Sequence, residues 1–219
     1  MNIGIKDVLY QIRFFFIPYL IVLCACLIIK CTYTRETIYF TVNSHNYPWG
    51  DTLAPYFTDL GNFWTVVVLS AILALFNYSK AFLMLLVNTI TALTAQIVKH
   101  IFDAPRPSLY FHNQLGQIHF VKGVYMLSLH SFPSGHTVSA FTTAVLLTYW
   151  CRNKLFGLPL LLLAIMVGYS RMYLSEHFFE DVTAGSAIGV ITTVFIISWL
   201  DRKQFLNSVK WNRGLLKKG

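Results

Sequence analysis

Apolar residues dominate six stretches of the chain, at 14–31, 62–78, 81–98, 137–150, 155–173 and 182–200. Short polar turns separate some of them, and two long connections, 32–61 and 99–136, separate the others. A helix crosses a bilayer with roughly 17–25 mostly apolar residues. The pattern therefore predicts an all-α polytopic membrane bundle of six transmembrane helices. The fourth stretch is short as drawn and is expected to extend back through Pro133 or on toward Arg152. The third carries Asn88, Thr89, Thr91, Thr94 and Gln96, which predicts a side facing the bundle rather than lipid. "GSAIG" at 185–189 supplies a small-xxx-small face for helix packing in the sixth span.

Composition agrees with this reading. The 219 residues are 56% hydrophobic and 12% charged, with a mean hydropathy of +0.57, whereas soluble domains run near a quarter charged. Charge fixes an expected orientation. The N-terminus, the turns at 79–80 and 152–154 and the tail hold Lys6, Arg13, Lys80, Arg152, Lys154 and six further cations. The opposite loops hold Lys30, Arg35, Lys99, Arg106, Lys122 and Arg171. Cytoplasmic loops carry the excess of Lys and Arg, so both termini are expected in the cytoplasm, with 32–61, 99–136 and 174–181 outside.

Lys6 and Arg13 before the first apolar core, with "LCAC" at 23–26, also resemble an export signal. Removing that span would leave five helices, so it is read as retained. Cys24, Cys26, Cys31 and Cys151 show neither disulfide nor zinc spacing and read as small apolar residues. The net charge of +8 is concentrated in the tail 201–219, where Trp211, Leu215 and Leu216 alternate with cations. Beside six spans this favours contact with anionic lipid headgroups over nucleic-acid binding. The whole chain, 1–219, reads as a single membrane domain. The aromatic loop 32–61, with Tyr47, Trp49, Tyr56 and Phe57, reads as an interfacial segment. His45, His100, His112, His119 and His130 match no ligand spacing and are expected at the surface, so no metal site is predicted.

Three outer segments carry groups that a membrane protein has no evident need of. In "KHIFDAPRP" (99–107), Lys99 ends the third span and Arg106 follows a proline-stiffened turn. Alone, these are equally a snorkelling lysine and a solvated arginine. In "HSFPSGHTVSAF" (130–141), a helix starting near Pro133 would leave the N–H groups of Ser134, Gly135 and His136 unpaired and facing outward. With the helix dipole these form an anion site, or else an ordinary cap. The serine hydroxyl adds a donor, and His136 gives or takes a proton near neutrality. In "SRMYLSEHFFEDVTAG" (170–185), His177 and Asp181 are four apart and would share a helix face. A carboxylate on one ring nitrogen directs the other as nucleophile or base, although such a pair is also common by chance. The chain is expected to break near Leu174, with Ser175 capping the sixth helix and His177 in its first turn. Taken together the segments place three cations and two histidines at one depth. Such a cluster is costly unless an anion joins it, and a tetrahedral oxyanion fits.

These segments resemble the type-2 phosphatidic acid phosphatase family, which shares its site with vanadium haloperoxidases and bacterial acid phosphatases. Its motifs are K-x6-R-P, P-S-G-H and S-R-x5-H-x3-D. Here they fall on Lys99, Arg106 and Pro107; on Pro133, Ser134, Gly135 and His136; and on Ser170, Arg171, His177 and Asp181, all within 99–181. The resemblance implies a metal-independent lipid phosphatase without a cofactor. It implies that His177 attacks phosphorus, that Asp181 orients its ring, and that His136 protonates the leaving oxygen. Lys99, Arg106 and Arg171, with Ser134 and the Gly135 N–H, would hold the phosphate oxygens. Expected substrates are phosphorylated membrane lipids: undecaprenyl diphosphate, phosphatidylglycerol phosphate, phosphatidic acid or lipid A phosphates. The expected setting is a bacterial plasma membrane with the site facing outward. A lipid phosphotransferase, or a transporter or scaffold with a relic site, are the competing readings; an intact signature argues against the relic.

Overall fold

A computed structural model describes residues 4–200, 206 and 208–216. All regular structure among these residues is helical. The helices are α1 (Ile5–Gln11), α2 (Arg13–Thr32), α3 (Arg35–Ser44), α4 (Pro48–Asp59), α5 (Phe63–Phe76), α6 (Tyr78–Phe102), α7 (Pro107–Tyr110), α8 (Gly135–Trp150), α9 (Gly157–Tyr173) and α10 (Phe179–Leu200). Each of the six apolar stretches is a helix. Among the described residues, four helices (α2, α6, α9 and α10) are long and apolar enough to cross a membrane; α4 and α5, bent by 54° at their junction, form a fifth if counted as one broken span.

The fourth stretch departs from expectation. It begins at Gly135, after Pro133, and ends at Trp150, so its 16 residues span only about 24 Å. The reason lies in its surroundings. α8 is the central helix, packed against α6, α9 and α10, and residues 140–146 are buried without a break. A helix walled by other helices need not match the lipid thickness.

Apolar burial alone gives helices in lipid little reason to associate, so close approach and polar contacts matter more. Both are present. On α10, a Cβ at Gly185 would lie 2.8 Å from the Ser134 carbonyl oxygen, and one at Gly189 would lie 2.7 Å from that of Val138. The small-residue face predicted from "GSAIG" therefore seats α10 on α8. Between α6 and α8, the Ser139 hydroxyl donates to Asn88 Oδ1 (3.2 Å) and the Thr142 hydroxyl to Thr91 Oγ1 (3.2 Å). Asn88 and Thr91 thus face the bundle as expected, whereas Thr89 and Gln96 are exposed and line a cleft between helices.

The 32–61 connection contains α3 and α4, capped by the Thr34 hydroxyl, which accepts from Thr37 N, and by Pro48 in the first turn. Tyr47 and Trp49 stack there in exposed positions. The tail does not stand free. Tyr78 N and Ser79 N donate to the Arg213 and Trp211 carbonyls, and Leu215 N and Leu216 N donate to Ala74 O and Leu75 O. Residues 211–216 thereby satisfy backbone groups left open where α5 ends and α6 begins. Arg202, Lys203, Lys217 and Lys218 of the basic tail lie outside the described residues.

Candidate active site

The end of α6, the start of α8 and the end of α9 meet at a cleft of about 520 Å³, lined by Lys99, Arg106, Gly135, His136, Arg171 and His177. Its remaining walls come from α5 and α6 and the turn between α4 and α5, including Gly61, Phe63, Val66, Leu85, Ala92 and Leu93. Six of the eight residues predicted for the site share this cleft; Ser134 and Asp181 stand behind it.

Each cation is buried and anchored. Lys99 Nζ donates to the His130 carbonyl at 2.7 Å. Arg106 Nε donates to Leu129 O at 3.0 Å, and its Nη1 to the Glu176 carbonyl at 3.2 Å. Nη1 also pairs with the Glu176 carboxylate. Arg171 Nη1 donates to the Thr58 hydroxyl at 2.6 Å, and Nη2 lies 3.2 Å from Glu176 Oε2. Arg171 Nε is buried and without a partner among the described residues. An unpaired buried charged donor is costly, and a bound anion would satisfy it.

The cap on α8 differs from the expectation. Ser134 N donates to the Asp181 carbonyl at 3.0 Å, so that N–H is already used. The Ser134 hydroxyl is fully buried and accepts from Thr137 Oγ1 at 2.9 Å. It acts as the N-cap of α8 rather than pointing into the cleft. The N–H groups of Gly135 and His136 have no acceptor among the described residues and remain open at the positive end of the helix. A Cβ added at Gly135 would meet nothing within 4 Å, so this glycine leaves space rather than relieving strain.

The geometry of His177 also differs. α9 ends at Tyr173 and Ser175 takes φ +57°, so the chain reverses and α10 starts only at Phe179. His177 therefore lies before the helix, not in its first turn. Ser175 does not cap α10; its hydroxyl accepts from Tyr39 Oη (2.9 Å) and Asn43 Nδ2 (3.1 Å). Asp181 performs the capping instead, with Oδ2 accepting from Phe178 N at 2.8 Å and from the Ser131 hydroxyl. His177 Nδ1 stands 3.4 Å from the same oxygen but has no aligned hydrogen bond. The two residues are neighbours as the spacing predicts, through a looser contact than a shared helix face would give. Burial, reinforced by the positive charges of Arg106, Arg171 and Lys99, pushes the His177 pKa well below the ordinary imidazole range. The ring is therefore neutral at physiological pH, with a free lone pair.

Three contributors escaped sequence reasoning. Glu176 adjoins His177 in "SEHFFED", and an acid beside a predicted cation cluster was the available signal. Thr58 and Ser131 carried none, since both meet their partners only through tertiary packing.

This fold and cleft define a class: a membrane-embedded helical protein with a neutral histidine and a buried cation set arranged for an oxyanion. Residues 80–205 match the PAP2 superfamily, and the chain belongs to that superfamily. It is 28% identical over 174 residues to a lipid A 4'-phosphatase of Porphyromonas gingivalis, covering 74% of this chain and 71% of that protein. Among solved structures it resembles Aquifex aeolicus LpxE, with a TM-score of 0.65 and 29% identity over 75% of this chain and 93% of that one. It also resembles a transmembrane PAP2-type phosphatidylglycerolphosphate phosphatase from Bacillus subtilis, with a TM-score of 0.62 and 26% identity over 90% and 99% of the two chains.

Proposed function

We propose that the protein hydrolyses the phosphate of a membrane lipid through a phosphohistidine on His177, without a metal. The observation that carries this reading is the position of the cations at the head of a cleft that continues along α6. Leu85, Thr89, Ala92, Gln96 and Lys99 recur every three or four residues and line it as one stripe. From Lys99 to Leu85 that stripe descends about 21 Å, enough for a lipid chain below a phosphate held at the level of Lys99.

In the proposed reaction His177 Nε2 attacks phosphorus, and the bond from phosphorus to the lipid oxygen breaks. The charge of the bound phosphate offsets the three cations around His136, so His136 enters protonated and gives that proton to the oxygen. Water then attacks the phosphohistidine while His136 takes its proton, and inorganic phosphate leaves. Lys99, Arg106, Arg171 and the N–H groups of Gly135 and His136 hold the oxygens as charge spreads in the transition state. The substrate belongs to the phosphorylated envelope lipids, a class to which lipid A phosphates and phosphatidylglycerol phosphate belong.

The direct test is phosphate release by the purified full chain in detergent, against a panel of lipid A, phosphatidylglycerol phosphate, phosphatidic acid and undecaprenyl diphosphate. Release is expected from at least one of them, unaffected by excess EDTA and blocked by vanadate, a mimic of five-coordinate phosphorus. Loss on chelation that magnesium or zinc restores would overturn metal independence.

The proposal includes six spans, cytoplasmic termini and a site facing outward in a bacterial plasma membrane, supported by the distribution of Lys and Arg. With the four native cysteines replaced by serine, Asn46→Cys and Asn113→Cys should react with an impermeant thiol reagent in intact cells. Asn153→Cys and Asn212→Cys should not. The reverse pattern would put the site in the cytoplasm.

A further inference from the structure

We infer that Glu176 is a built-in counter-anion that sets how tightly the cleft holds phosphate, and thereby how readily the product leaves. This rests on the phosphatase reading above. Glu176 belongs to none of the signature positions. Its side chain is only 3% exposed and touches both site arginines, pairing with Arg106 Nη1 and lying 3.2 Å from Arg171 Nη2.

Its placement separates it from the phosphate ligands. Arg106 and Arg171 line the cleft and Glu176 does not, so the carboxylate approaches the guanidiniums from behind. One terminal nitrogen of each arginine is committed to Glu176, while Arg171 Nε has no partner among the described residues. A bound phosphate would therefore join the arginines opposite the carboxylate instead of displacing it.

Glu176 is also not required to aim the arginines. Arg106 is held through Nε by Leu129 O and through Nη1 by the Glu176 backbone carbonyl. Arg171 is held through Nη1 by Thr58. These contacts survive loss of the carboxylate charge, and a glutamine oxygen can still accept from a guanidinium. What the carboxylate adds is negative charge. Three buried cations and two open N–H groups, unopposed, would retain a phosphate dianion strongly, and a hydrolase that retains its product is slow. A full charge behind the arginines, in a poorly solvated site, changes anion affinity by roughly tenfold or more.

The test is inhibition of the purified full chain by inorganic phosphate and by vanadate. Glu176→Gln, checked for folding by gel filtration, should be inhibited at roughly tenfold lower concentrations of both anions. Its kcat should fall while kcat/KM does not fall in parallel. Glu176→Asp, which withdraws the carboxylate from the arginines while keeping the charge nearby, should move inhibition the same way by roughly two- to fivefold. It decides the matter if the glutamine variant does not fold. Unchanged or weakened inhibition would overturn the inference, because a residue that only positions the arginines would lose anion affinity when replaced. A wild-type chain that neither anion inhibits, and that releases no phosphate from any lipid, would instead overturn the phosphatase reading beneath it.

Discussion

His177→Ala should abolish turnover of every phosphorylated substrate, whatever its leaving group, whereas His136→Ala should be selective. The two histidines are chemically unequal in this structure. His177 is fully buried beside Asp181, with the arginines and Lys99 lining the same cleft. His136 lines the same cleft at the start of α8, with no carboxylate partner among the described residues. A positioned general acid contributes roughly 10²–10⁴-fold, and that contribution depends on the leaving group. His136→Ala should therefore lose roughly 10²–10⁴-fold in kcat/KM, which reports formation of the phosphohistidine, on a lipid alkyl phosphate and less than about tenfold on an aryl phosphate, whose phenolate departs without protonation. Quenching His136→Ala in alkaline denaturant, where a phosphohistidine persists, during turnover of the aryl substrate should trap labelled phosphate on His177. Equal losses on both substrates, or label recovered on His136 of the His177→Ala variant, would show the roles to be reversed.

Much of this arrangement was legible in the chain, for reasons that differ from residue to residue. The helices could be read because lipid demands long apolar runs, and Asn88 and Thr91 could be assigned inward because polar groups in lipid seek partners. The cations could be placed together because burying Lys99, Arg106 and Arg171 separately would be costly. The same reasoning failed where tertiary contacts override local rules. Ser134 reads as a phosphate donor in a linear pattern, yet the Asp181 carbonyl takes its N–H, and its buried hydroxyl accepts from Thr137 as the cap of α8. The spacing of His177 and Asp181 suggests a helical pair, but the left-handed Ser175 turns the chain and delays α10 to Phe179. Asp181 still reaches His177, because it caps the helix that His177 precedes. α8 could be drawn short but not explained, since its length follows from being enclosed by α6, α9 and α10.

Gly185→Ala should cost activity out of proportion to its size. An added methyl would lie 2.8 Å from the Ser134 carbonyl oxygen and 3.3 Å from Thr137 Cβ. That carbonyl accepts the first backbone hydrogen bond of α8, from Val138 N at 3.0 Å, and cannot yield without shifting the Gly135 and His136 N–H groups. Asp181, one turn earlier on α10, would move as well, because its carbonyl receives Ser134 N. Gly189→Ala meets a similar obstacle, the Val138 carbonyl at 2.7 Å, but one turn further from the cleft. Overpacking of this kind costs roughly 1–3 kcal/mol, so both variants should show reduced thermal stability in detergent. They should differ in specific activity. The folded fraction of Gly185→Ala should lose roughly 10- to 100-fold, since a displacement near 1 Å at a reacting site costs about that much. Gly189→Ala should stay within about threefold of wild type by the same reasoning, its clash being remote from the reacting atoms. Gly116→Ala, where a Cβ meets nothing within 4 Å, serves as the neutral control. Equal specific activities for the Gly185 and Gly189 variants would show that the seating of α10 on α8 stabilises the bundle without setting the geometry of the phosphate cradle.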